Sequence, residues 1–149
     1  METGTEQAAG PRRPRYFWWL AGAALLWNLA GVAMLLVQVG MDAQGLAALD
    51  AGQRRIREAT PGWVDAAFAV AVTSGVLGAL GLLLRGRWAA PLFGVSLLAM
   101  LVQLGGGYAT TPAWEVYGPA GLAMPAILLV IAVALWGYAR RLARSGWLR

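Results

Sequence analysis

The chain has 149 residues, of which 59% are hydrophobic and only 13% charged, with a formal net charge of +5. That balance describes a membrane protein rather than a water-soluble domain, and the length suits one domain. Cysteine and histidine are both absent, which excludes disulfides, thiol redox chemistry, histidine-ligated haem and the usual zinc and copper sites.

Residues 1–15, METGTEQAAGPRRPR, are polar, contain two prolines and show no apolar periodicity. They read as a disordered tail on the cytoplasmic side. Residues 16–39 follow without a charge. The run is about twice the length of a signal-peptide core, so it reads as a retained first span. Tyr16, Phe17, Trp18 and Trp19 at its start suit the headgroup region. Asn28 lies roughly 18 Å along that helix, near the middle of a ~30 Å hydrocarbon layer. Its amide needs partners where no water is available.

Residues 41–62 are a polar connection with Leu46, Leu49 and Ile56 at helical spacing. Asp42 can cap its start, and Arg54, Arg55 and Arg57 suit its C-terminal end, before Pro61-Gly62 stops it. The expectation is one short amphipathic helix lying on the membrane surface. The second span covers residues 64–84. Ala67, Ala71, Gly75 and Ala79 recur every four residues in it and form a smooth strip suited to close helix packing. After the short turn Arg85-Gly86-Arg87 comes a third span, residues 88–107, with Pro91 in its first turn and a triple glycine to end it. A loop containing Trp114, Glu115 and Tyr117 leads to the fourth span, residues 120–138, and to a basic cytoplasmic tail over 141–149. Residues 16–140 therefore form one transmembrane domain, an all-α bundle of four helices.

All twelve basic residues are arginine. With both termini in the cytoplasm, the inner segments carry nine of them against Glu2 and Glu6, and the outer loops carry three against Asp42, Asp50, Glu58, Asp65 and Glu115. The positive-inside rule favours that orientation in a bacterial inner membrane. Placed so, the arginines report topology, and nucleic acid is not an expected partner.

Two polar groups are candidates for function. Asn28, Thr73, Ser74 and Ser96 share a depth at the midplane and read either as hydrogen-bonded glue between helices or as a site for a small polar solute. Gln38, Asp65, Gln103 and Glu115, with Tyr108 and Tyr117, lie nearer the outer face. Asp65 is there either a proton-coupling carboxylate or an ordinary N-terminal carboxylate favoured by the helix dipole, paired with Arg54, Arg55 or Arg57. The remaining carboxylates are scattered over loops and no metal-ligand set is available, so neither an enzyme nor a cofactor is expected.

The segments LLWNLAGV (25–32), PGWVDAAFAVAV (61–72), LGALGLLLRGRWAAPLF (77–93), EVYGPAGLAMP (115–125) and WGYARRLARSGWLR (136–149) together resemble an uncharacterised family of small four-span bacterial membrane proteins, some of which carry a sugar-transporter label. The resemblance implies transport and carries over no functional residue. The expected function is a small-solute transporter or permease subunit in contact with lipid, its polar pathway formed with further copies of the chain. The alternative is a non-catalytic accessory subunit that packs against other membrane proteins through the Ala67/Ala71/Gly75/Ala79 strip.

Overall fold

The computed structural model describes residues 16–148, so the tail expected over 1–15 lies outside the described residues. Helix α1 spans Phe17–Val39, α2 Ala43–Ala48, α3 Ala51–Ala59, α4 Gly62–Leu83, α5 Ala89–Thr110 and α6 Ala113–Tyr117; a 3-10 segment, Gly118–Leu122, leads into α7, Ala123–Arg144. Helices α1, α4, α5 and α7 are apolar and 22 or 23 residues long, about 33 Å each at the helical rise. That length crosses the hydrocarbon core, and large aliphatic side chains such as Leu26, Leu98 and Val130 are exposed where lipid would meet them. The protein is an all-α, multi-pass integral membrane protein.

Helices α4 and α5 form the central pair, with α1 packed on α4 and α7 on α5. Small residues make those approaches possible. Ala71, Gly75 and Ala79 are buried and Ala67 is half-buried. Gly78 faces the Phe93 ring and Gly81 faces Ala89 across the α4–α5 contact. The chain's own helices thus cover Ala71, Gly75 and Ala79 of the strip.

At the end of the bundle that holds the chain termini, here the terminal end, two helices close with the same device. Arg85 adopts a left-handed φ of 60°. Gly86 N–H then donates to Gly81 O at 2.7 Å, and Arg85 N–H to Leu82 O at 3.0 Å, which satisfies the last carbonyls of α4 in a Schellman motif. A non-glycine residue there costs roughly 1–2 kcal/mol; the Arg85 guanidinium lies 4.5 Å from the centre of the Trp147 ring, a contact that favours the turn. After α7, Gly146 has φ 71° and Trp147 N–H donates to Leu142 O at 3.3 Å. Trp147 and Leu148 are thereby turned back and buried among Phe17, Ala21, Leu82 and Ala139, the Trp147 ring standing edge-on to Phe17 at 4.3 Å. Residues 141–148 are therefore not a plain basic tail: α7 continues through Arg144, and Trp147 and Leu148 cap the bundle.

Other departures have local causes. Helix α5 runs through Gly105-Gly106-Gly107 because the Trp63 ring lies against Gly106, where a Cβ would collide with it. Thr110 and Thr111 hydroxyls also donate to the carbonyls of Gly106 and Gly107 at 2.7 and 2.6 Å. The connection expected as one helix is two, because Asp42 and Asp50 each cap a start, accepting from Gly45 N–H and Gln53 N–H at 2.8 Å.

Candidate functional site

The midplane layer comes first. The Asn28 amide donates to Ala24 O, four residues back on its own helix, at 2.7 Å. Its Oδ1 lies in the notch at Gly75, where a Cβ would overlap it, and Ser96 Oγ is 3.2 Å from that same point. Ser96 Oγ donates to Ala71 O across the α4–α5 contact at 2.7 Å, while Ser74 Oγ donates to Val70 O and lies 3.2 Å from Ala71 O. Thr73 is exposed on the outer side of α4 and does not join the layer. The expected amide-to-hydroxyl bonds from Asn28 are thus replaced by bonds to backbone carbonyls, which are stronger acceptors and lie within reach on the same helix. A cavity of about 20 Å³ touches Asn28 and Ser96, room for about one water molecule. The layer is packed, the Asn28 amide N–H and both serine hydroxyls have acceptors, and it has no space for a solute.

The opposite, loop end differs. A cleft of about 480 Å³ opens between α1, α3, α4, α5 and α6, within the size range of small-molecule sites. Gln38, Asp65, Gln103, Tyr108 and Tyr117 all line it. Five of the six residues expected to form an outer polar group therefore share one cleft. Glu115 stands apart, exposed and 3.5 Å from Arg55.

The electrostatic centre of the cleft is Arg57. Its Nη1 donates to Asp65 Oδ2 at 2.9 Å and its Nη2 to the backbone carbonyl of Gln38 at 3.0 Å. The two charged side chains retain only 26% and 23% of their exposure. One guanidinium fork therefore ties α3 to the end of α1 and the start of α4. Among the partners anticipated for Asp65, Arg57 is the one found, and Asp65 also sits in the first turn of α4 as a dipole-favoured carboxylate. Arg57, Asp65, Met41 and Thr60 also line a second, more open recess of about 320 Å³ containing Asp42 and Glu58. The ion pair is the wall between the two hollows.

Gln53, Thr60 and Phe68 line the cleft as well, and reading the sequence for polar residues did not single them out. Helical register contained the signal for the first two. Leu49, Gln53, Ile56, Arg57 and Thr60 are spaced to share one face, and all five line the cleft. Compared with models of protein families, with curated proteins and with solved structures, the chain shows no match.

Proposed function

We propose that the chain is a small-solute transporter or permease subunit of a bacterial inner membrane, with both termini cytoplasmic and the cleft open to the outside. The observation that carries this reading is the cleft itself: about 480 Å³ of space lined by amide, hydroxyl and apolar side chains and one ion pair at the loop end of a membrane bundle. Such a site, closed beneath by the packed layer of Asn28, Gly75 and Ser96, has the form of a carrier open to one side. Passage would require that layer to part. The accessory reading is less favoured, since the small-residue strip it relied on is covered within the chain.

Gly107 offers a clean test. It lines the cleft, and a Cβ there meets nothing within 4 Å, so Gly107→Leu is expected to take up cleft space while α5 stays helical. Gly105 is equally unobstructed but does not line the cleft. Proteoliposomes would be loaded from a mixture of labelled amino acids, sugars, polyols and nucleosides. Wild type is expected to accumulate at least one of them, Gly105→Leu to match it, and Gly107→Leu to fall about tenfold, a loss of ~1.4 kcal/mol. Uptake that is the same in empty liposomes, or unaffected by Gly107→Leu, overturns the reading.

A further inference from the structure

We propose that the cleft selects an uncharged amphipathic molecule that brings hydrogen-bond donors, such as an alcohol or a primary or secondary amide. The inference rests on the cleft being the ligand site. Three features of the lining carry it. First, Arg57 and Asp65 are its only ionised groups among the described residues, and they neutralise each other at 2.9 Å, with the second Arg57 nitrogen held by Gln38 O. A charged ligand would find no free counter-charge and would have to part this largely buried pair. Second, three of the four lining hydroxyls have already used their hydrogens. Thr60 donates to Ile56 O at 2.7 Å, Thr111 to Gly107 O at 2.6 Å and Tyr108 to Gly121 O at 2.8 Å. A hydroxyl has one hydrogen and two lone pairs, so these three can only accept from a ligand. Tyr117 and the amides of Gln38, Gln53 and Gln103 can accept as well as donate, so seven lining side chains accept and four donate, which favours a ligand rich in donors. Third, Met34, Val37, Phe68 and Leu104 form an apolar wall that would take a hydrophobic face.

Matched probes separate these requirements in lipid nanodiscs at pH 6, with binding read by ligand-observed NMR against empty discs. N-acetylphenylalaninamide is neutral with donors, and its fully N-methylated analogue is neutral without them. Phenylalaninamide is a cation at that pH and N-acetylphenylalaninate an anion. On wild type the neutral donor is expected to bind roughly tenfold tighter than either charged probe or the methylated analogue. Asp65→Asn leaves Arg57 uncompensated and should shift preference to the anion; Arg57→Gln should shift it to the cation. The double variant removes both charges and should restore the neutral preference, which keeps the test valid if Arg57→Gln alone loosens α3. If the probes bind, are blocked by Gly107→Leu, and a charged or donor-free one wins on wild type, this inference is overturned while the cleft remains a ligand site. If none binds wild type, or Gly107→Leu changes nothing, the cleft reading falls with it.

Discussion

Asn28 is held by two neighbours of different kinds: a carbonyl that accepts its amide hydrogen and a notch at Gly75 that receives its oxygen. The first bond is within α1 and gives no information about which helix lies alongside. The second contact does, because only glycine leaves the space. Gly75→Ala is therefore expected to destabilise the bundle by about 1–3 kcal/mol through overpacking. Shortening the opposing side chain should relieve most of that loss, so Gly75→Ala with Asn28→Ala should be more stable than the sum of the single changes implies. Unfolding of detergent-solubilised protein in increasing dodecyl sulfate measures this directly, and strictly additive losses would show that the notch does not matter. The depth of Asn28, Ser74 and Ser96 was legible from counting along antiparallel spans. Azimuth was not. Thr73 and Ser74 are neighbours in sequence and depth yet stand about 100° apart around the helix, and that turn alone puts Thr73 outside and Ser74 inside.

Helix α3 shows how a short element is fixed by one side chain. Its start is capped by Asp50, but its end is anchored by the Arg57 fork on Asp65 and Gln38 O. Removing the fork should cost about 1–3 kcal/mol, below the 3–5 typical of a fully buried pair because both groups keep some water. In Arg57→Ala the spans should remain helical by circular dichroism while amides of residues 51–59 exchange faster with deuterium. Unchanged exchange there would show that α3 is held by packing alone. By contrast Arg55 and Glu115 are 63% and 72% exposed at 3.5 Å, a geometry that contributes little. The four spans were readable because a run of some 20 apolar residues has few alternatives in water or lipid. The bounds of the short elements and of the α5 end were not, since each depends on a contact from elsewhere: Val116 against Gly52 of α3, or Trp63 against Gly106 of α5. The turn at Gly146 was within reach, because glycine after a basic helix end followed by Trp147-Leu148 carries the marks of a Schellman closure.

Across the whole molecule, packing and charge run along the same axis. The terminal end is closed by Phe17, Leu82, Trp147 and Leu148 and carries Arg85, Arg87, Arg140, Arg141 and Arg144. The loop end is open and holds every described carboxylate, Asp42, Asp50, Glu58, Asp65 and Glu115, beside three arginines. Insertion favours arginine-rich segments on the cytoplasmic side, so this gradient predicts a cleft that faces outward. The chain has no native cysteine, which makes single reporters unambiguous. Ala47 in α2 and Ser145 after α7 are both exposed, one at each end. In intact spheroplasts a membrane-impermeant maleimide should label Ala47→Cys fully and leave Ser145→Cys unlabelled until the membrane is permeabilised. The reverse pattern would place the cleft in the cytoplasm. A site facing that way would meet solutes on their way out, so the same geometry would then have to be read as export.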